Sequence, residues 1–143
     1  MTEKKESVKK KARKKVVVKT GKRKEAVARA TIRDGTGRVE LNGAHLNAVT
    51  FHVVKDMILE PLDFIDLKKY DIEINVRGGG VMGQAQAART AVAKALVEFS
   101  GDPSLRERMM RYDRSLLVDD PRRVEPKKFK GPKARARFTK SYR

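Results

Sequence analysis

Apolar and small residues recur at spacings of three and four between Val81 and Phe99, a pattern that predicts one long helix. A glycine, Gly101, stands where a helix end favours a left-handed residue. The opposite face of this helix is predicted to be polar, with Gln86, Thr90, Lys94 and Glu98. The predicted buried stripe consists of Val81, Ala85, Ala88, Val92, Leu96 and Phe99.

Two stretches alternate with a period of two and predict strands. In Tyr70 to Val76, isoleucine and valine alternate with polar residues. In Ala26 to Arg33, one face carries three alanines and Ile32, which suit close packing of the long helix. The other face, Val27, Arg29, Thr31 and Arg33, is basic and either stays solvated or meets a phosphate. The basic turn next to it favours the phosphate.

The remaining pattern is less regular. A strand is predicted to start at Val16–Val18, followed by a turn over Gly21–Lys24, and another strand spans Arg38–Leu41, followed by a turn at Asn42-Gly43. Residues 44–60 predict one or two short helices, with Thr50 as a cap and Pro61 as the end. Further short helices are predicted over Leu62–Leu67 and Pro103–Tyr112. The fold class predicted is α/β (α+β), with one long helix and short helices packed on a sheet.

Three glycines, Gly78, Gly79 and Gly80, join the last strand to the long helix. With Gly83 they fit the dinucleotide fingerprint G-x-G-x-x-G, but no second strand with a terminal acidic residue follows. They also have the spacing of a phosphate-binding loop, but Gln84-Ala85 stands in place of its Lys-Ser/Thr. A tight turn explains the glycines. A further interpretation is that N–H groups at the helix start, beside Arg77, hold a nucleic-acid phosphate.

Charge divides the chain into three parts. The net charge is +17, and residues 1–24 contain 12 lysines and arginines against two glutamates. Residues 122–143 contain 10 against one, whereas residues 25–121 contain 13 against 15 Asp and Glu. We therefore predict a basic N-terminal arm at residues 1–15, a globular domain at 16–112 and a basic extended tail at 113–143. Such arms repel themselves and need a polyanion, for which nucleic acid is favoured over an anionic membrane.

Other function classes have little support. The chain has no cysteine, no signal-type or membrane-spanning apolar run, and only two histidines, His45 and His52, without a matching third ligand. We expect a cytoplasmic protein that is not an enzyme and has no catalytic residues, metal, cofactor or small-molecule substrate.

The last segment, from Arg122 on, places single aromatic residues between basic ones and follows Pro121 with two further prolines. It predicts an arm that follows RNA, with cations for phosphates and rings for bases; a merely disordered tail is the alternative. The predicted RNA-binding residues are Lys19, Lys22, Arg23, Lys24, Arg29, Arg33, Arg77, Gly78, Gly79, Gly80, Arg122, Arg123, Lys127, Lys128, Phe129, Lys130, Lys133, Arg135, Arg137 and Phe138.

Three motifs together resemble one family, the ninth protein of the small ribosomal subunit. They are Lys19–Arg29, then Gly78-Gly79-Gly80 with Gly83-Gln84 and Ala93-Lys94-Ala95-Leu96, and the ending Arg137–Arg143. The ending resembles the archaeal and eukaryotic branch. The resemblance covers residues from about 16 onward.

The resemblance implies an α/β domain with a mixed sheet, similar to the second domain of another small-subunit ribosomal protein and with a left-handed crossover. It implies a place in the head of the subunit among rRNA and neighbouring head proteins. It also implies that the tail tip, Lys140, Ser141, Tyr142 and Arg143, reaches the peptidyl-site tRNA. A basic nucleic-acid-packaging protein is the alternative, although it would share the charge rather than this globular centre.

Overall fold

The computed structural model of the chain describes residues 15–140, so expectations for residues 1–14 and 141–143 lie outside the described part. The strands are β1 (Val16–Arg23), β2 (Ala26–Asp34), β3 (Val39–Leu41), β4 (Ala44–His45) and β5 (Tyr70–Arg77). The α-helices are α1 (His52–Leu59), α2 (Val81–Ser100) and α3 (Pro103–Tyr112). Short 3₁₀ turns lie at Leu46–Ala48, Glu60–Phe64, Leu67–Lys69 and Arg114–Leu116. None of the helices in this part of the chain is both long and apolar enough to cross a membrane.

The strands form one five-stranded mixed sheet in the order β1-β2-β5-β3-β4. Strands β1, β2 and β5 pair antiparallel, whereas β3 pairs parallel with β5. The predicted α/β (α+β) domain, with a mixed sheet, one long helix and short helices, is confirmed. The two-residue strand β4 was not predicted, because residues 44–48 were expected to be helical. It pairs antiparallel with β3 across the Asn42-Gly43 turn.

Helix α2 lies on one face of the sheet, and the alternation in β2 decides which face that is. Ala26, Ala28, Ala30 and Ile32 are fully buried in the core, as predicted, and Ile72 and Ile74 of β5 join them. Arg29 and Arg33 point to the opposite face and are exposed. We call this second face the open face of the sheet.

Helix α2 is buried on more sides than the predicted stripe. Val81 at its start is exposed, whereas Thr90, expected on a polar face, is buried. The reason is that the chain after α3 returns over α2: Leu116 is fully buried, and the Thr90 hydroxyl lies 3.3 Å from the Ser115 carbonyl oxygen. Six alanines of α2 are buried, so its neighbours approach its backbone closely.

Two local expectations for the first half of the chain are wrong. Gly21 does not begin a turn, because β1 continues to Arg23 and the reversal is made by Lys24, in the left-handed region with φ of 55°, and Glu25. A Cβ at Gly21 would lie 2.3 Å from the Ala87 carbonyl oxygen, so this glycine permits contact between β1 and α2. Thr50 does not cap α1, whose N-cap is Phe51 without a side-chain hydrogen bond.

Packing against the domain continues beyond Tyr112, where the sequence pattern placed its end. Arg89 of α2 bonds both Glu60 and Asp113, with N–O distances of 2.8 Å. Asp119 pairs with Lys94 at 2.7 Å, and Asp120 pairs with Arg23 at 2.9 Å. Residues 113–120 therefore lie on α2 and β1.

Candidate nucleic-acid interface

One end of the molecule brings together three features that the sequence analysis treated separately. The β1–β2 turn at Lys24-Glu25 lies against the glycine turn, since Gly78 approaches the Glu25 carbonyl and Gly79 approaches Ala26. The start of α2 follows directly. We call this region, with the exposed cations Lys22, Lys24 and Arg77, the basic end.

The geometry of this turn requires glycine at two of its three positions. Gly78 and Gly79 have φ of 75° and 66°, which side chains rarely adopt. A Cβ on Gly79 would lie 2.9 Å from the backbone nitrogen of Ala26, and one on Gly78 would lie 2.7 Å from the Glu25 carbonyl oxygen. Gly80 differs: its φ is −105° and a Cβ there would meet nothing within 4 Å. A tight turn therefore accounts for Gly78 and Gly79 but not for Gly80.

Gln84 has a structural role in this turn. Its side-chain amide donates a hydrogen bond to the Gly78 carbonyl at 3.1 Å. Gln84 occupies the sequence position at which a phosphate-binding loop would carry lysine, but its side chain binds the backbone of the glycine turn. This contact explains the Gly-Gln pair without a nucleotide.

The amino end of α2 opens into a cleft of about 770 Å³. Gly80 is the N-cap, and within residues 15–140 no side chain caps the helix there. The first N–H groups of a helix carry partial positive charge, which attracts an anion. The cleft is lined by Arg23, Lys24, Glu25, Gly79, Gly80, Val81, Met82, Gly83, Gln86 and Val124.

A second, smaller groove of about 400 Å³ lies on the open face of the sheet. Arg29 of β2 stands opposite Asn75 of β5, and Val27 stands opposite Arg77. Two cations and two amides therefore face solvent within one groove, a combination suited to phosphate and sugar contacts. Its lining is Thr20, Val27, Arg29, Asn42, Asn75, Val76 and Arg77.

Sequence reasoning missed the polar neutral members of this groove. Asn75 could have been found, because it alternates outward in β5 as Arg77 does. Asn42 could not have been found from the sequence. It reaches the groove because β3 pairs parallel with β5, and no local pattern predicts that pairing. Its side-chain oxygen also accepts a hydrogen bond from the Val76 N–H at 2.7 Å, which fixes the β3–β4 turn to the groove.

Three cations of strands β1 and β2 that were predicted to bind RNA have acidic neighbours inside the protein. Arg23 is mostly buried, with its guanidinium on Asp120 and 2.6 Å from the Gln86 side-chain oxygen. Lys19 pairs with Glu98 at 2.6 Å. Arg33 lies at the other end of β2, opposite Asp71. The structure therefore groups Lys22, Lys24, Arg29, Arg77 and the glycines. Arg23 lines the same cleft but is paired with Asp120, whereas Lys19 and Arg33 lie apart.

Asp120 connects the tail to the basic end. Bonds from the Arg122 side chain and N–H, with the nearby Arg23 charge, lower the pKa of Asp120 to about 2. The carboxylate therefore stays charged at any physiological pH. It holds Arg23 on one side and Arg122 on the other, so the tail begins at the edge of the 770 Å³ cleft.

Beyond Arg122 the chain has no helix or strand up to Lys140, but it is not straight. Arg135 donates hydrogen bonds to Glu125 from Nε and Nη2, and Arg137 donates one to the Phe129 carbonyl oxygen at 3.3 Å. These contacts close residues 125–137 into a loop. Phe129 and Phe138 are exposed, as are the tail residues predicted to bind RNA: Arg122, Arg123, Lys127, Lys128, Lys130, Lys133, Arg135 and Arg137. Lys140 is exposed at the edge of the described part, and Ser141, Tyr142 and Arg143 lie outside it.

The histidines take no part in this region. His45 accepts a hydrogen bond from the Asn47 N–H at 3.2 Å through Nδ1 and so caps a 3₁₀ turn. His52 is exposed at the first position of α1. Both are accounted for by surface and capping positions.

A small α+β domain with a basic end and a basic, aromatic-bearing tail defines a class of RNA-binding protein typical of ribonucleoprotein particles. The family described as ribosomal protein S9/S16 matches residues 21–143. The chain belongs to this family, as its sequence motifs suggested.

Relatives agree with this assignment over nearly the whole chain. The small ribosomal subunit protein uS9 of Halobacterium salinarum is 50% identical over 127 residues, 87% of this chain and 96% of that protein. The proteins of the same name from Desulfurococcus amylolyticus and Methanothrix thermoacetophila are 48% and 44% identical, each over 90% of this chain and 94% and 99% of their own. All three are archaeal, which confirms the expected archaeal type of the chain.

Proposed function

We propose that this protein is a structural constituent of the small ribosomal subunit in the cytoplasm, where it binds rRNA through its basic end and tail. The observation that carries the proposal is the family match, which includes both the glycine turn and the complete tail. Its relatives are named as small-subunit proteins. The exposed cations at the basic end supply the charge that phosphate binding needs.

We propose further that the protein lies in the head of the subunit beside other head proteins, and that its tail tip contacts the peptidyl-site tRNA. The tip is the last part of the tail, and eight basic residues nearer the domain can neutralise rRNA first. Lys140 and Arg143 are then available for a second, transient phosphate, and Tyr142 between them can stack.

The experiment is a truncation of Ser141-Tyr142-Arg143. Because the anchoring cations remain, we expect normal incorporation into purified subunits. We expect weaker tRNA binding at the peptidyl site, with the salt slope of binding reduced by roughly one for each lost phosphate contact. Arg143→Ala should have a smaller effect and Arg143→Lys a smaller one still.

Unchanged tRNA affinity and slope in the truncated, normally incorporated protein would show that the tip does not touch the tRNA. Loss of the protein from small subunits after a high-salt wash, together with binding to duplex DNA as tight as to folded RNA, would favour a packaging protein instead.

A further inference from the structure

The cleft of about 770 Å³ at the amino end of α2 has apolar walls that phosphate binding alone does not explain. Val81 and Met82 line it from α2, and Val124 lines it from the tail. These three side chains are 52%, 49% and 81% exposed, although all are large and hydrophobic. Lys24 lines the same cleft, so exposed apolar surface and a cation share one concavity. We call this concavity the α2 cleft.

Two further side chains give the α2 cleft hydrogen-bonding groups that are not cationic. The Gln86 side-chain oxygen accepts a hydrogen bond from Arg23 Nε at 2.6 Å. A guanidinium only donates hydrogen bonds, so the amide oxygen faces Arg23 and the amide nitrogen is left as a donor. Glu25 also lines the cleft, and its carboxylate accepts hydrogen bonds but repels phosphate. A donor, an acceptor and apolar walls together suit a nucleobase, whose edge carries both donors and acceptors.

The tail forms one wall of this cleft and the domain forms the rest. Asp120 pairs with Arg23 of β1 at 2.9 Å and also binds the side chain of Arg122. These contacts attach the chain to the domain just before Val124. A group that enters the α2 cleft therefore contacts the tail and the domain at once.

Charge and shape favour one kind of occupant. Lys22, Lys24 and Arg77 are exposed at the basic end, so an anionic chain is favoured over a cationic one. A duplex presents phosphates and sugars on its outside and keeps its bases stacked, so it cannot fill a concave apolar site. An unpaired nucleotide can turn its base out of the stack and into such a site. The cleft volume is in the range of sites that enclose small organic groups.

We propose that the α2 cleft receives one unpaired nucleotide of the small-subunit rRNA. Its base packs on Val81, Met82 and Val124, and the Gln86 amide nitrogen donates a hydrogen bond to the edge of the base. Its phosphate lies on Lys24. This site rests on the proposed function, since its ligand is rRNA. It adds the recognition of a base in a folded RNA to the binding of phosphate charge.

The first test replaces Met82 with a diazirine-bearing amino acid in the full chain. The control carries the same amino acid at Met110, which is exposed on α3 outside the cleft. Each variant is added to small subunits that lack the protein, and the subunits are irradiated. We expect position 82 to cross-link to one rRNA nucleotide, located by primer extension. A chemical probe of unpaired bases should modify that nucleotide in subunits without the protein, and the unchanged chain should protect it.

A position-82 cross-link to another protein would overturn the proposal, as would one to nucleotides that are paired before the chain binds. So would the absence of a position-82 cross-link from an incorporated variant, or an equal yield of the same cross-link from position 110. Absence of the unchanged chain from small subunits would instead refute the proposed function, and the nucleotide site with it.

The second test compares Met82→Ala, Lys24→Gln and Met110→Ala for binding to the same subunits over a salt series. Loss of an apolar contact with a base lowers affinity without releasing counterions. We therefore expect Met82→Ala to weaken binding roughly fivefold with an unchanged salt slope. Lys24→Gln should reduce the slope by roughly one, and Met110→Ala should stay within about twofold.

Thermal melting of the three free variants should match that of the unchanged chain, because all three side chains are exposed. Binding of Met82→Ala as tight as that of Met110→Ala would contradict the nucleotide site. A reduction of the salt slope by Met82→Ala equal to that by Lys24→Gln would also contradict it, because the cleft would then hold phosphate alone.

Discussion

Gly79 and Gly80 are adjacent, yet a side chain would meet different surroundings at each. At Gly79 both the positive φ and the contact with Ala26 oppose a Cβ, whereas at Gly80 neither does. The sequence pattern treated the glycines alike because a run of three gives no sign of which positions carry the turn. The distinction arises from β2, which lies more than 50 residues earlier in the chain.

We expect Gly79→Ala to lower the free energy of unfolding by about 1–3 kcal/mol through strain and overlap. Gly80→Ala should change it by less than about 0.5 kcal/mol. Gly43→Ala is the matched control, because Gly43 has φ of 80° but open space around it. Urea unfolding of the three variants measures the free energy of unfolding of each. A decrease for Gly80→Ala equal to that for Gly79→Ala would contradict this account.

Single residues also show where sequence reasoning reached its limit. Ala26, Ala28 and Ala30 were predicted on the helix-facing side of β2, because alternation alone determines the face. Gly21 was assigned to a turn, since a glycine before three basic residues is typical of one. Its actual role, to admit the backbone of α2 at Ala87, depends on a contact between elements far apart in the sequence.

At the scale of elements, α2 and β5 were predicted closely, because both have long, regular patterns. The burial of Thr90 was not predicted, since it depends on residues 113–118 returning over the helix. That segment contains no regular apolar period, and it is held by the buried Leu116 together with polar contacts. Asp113, Asp119 and Asp120 each bind a cation of α2 or β1.

The Asp120 contacts predict an acid-dependent change in the tail attachment. Because the pKa of Asp120 in the folded protein is lowered to about 2 from an ordinary value of 3.8, its carboxylate stabilises the folded state above about pH 4. This contribution decreases as the pH falls from 4 towards 2. We expect the stability difference between the unchanged chain and Asp120→Asn to shrink over that window.

Urea unfolding at a series of pH values measures the difference. Asp63→Asn, at an exposed aspartate in the 3₁₀ turn at Glu60–Phe64, serves as the comparison. A difference for Asp120→Asn that stays constant from pH 7 to pH 2 would show that its ion pairs do not hold the tail.

For the whole molecule, the charge distribution predicted a near-neutral domain between basic arms, with the domain at residues 16–112. The structure continues the domain beyond residue 112, because the fully buried Leu116 belongs to the core. Sequence reasoning ended the domain at the last helical pattern. It had no signal that Leu116, with the partly buried Leu117 beside it, packs against the core of the domain.

This difference gives a test by limited proteolysis of the free protein with trypsin. We expect a resistant fragment that begins near Val16 and ends at Arg122 or Arg123, since the chain beyond them is exposed. The bond after Arg114 should be protected by the packing of Ser115 and Leu116. Early cleavage after Arg111 or Arg114, with release of the following residues, would place the boundary at 112 after all.

The late position of Leu116, Asp119 and Asp120 also determines the order of events during synthesis. The core cannot close until these residues have been made, on the order of ten seconds after translation of the chain begins. Until then Arg23 and Lys94 lack their partners, Asp120 and Asp119, the first of which lies 97 residues further along the chain than Arg23. The nascent chain consequently exposes more unpaired cations than the folded domain does. It binds a wrong polyanion most readily before folding is complete.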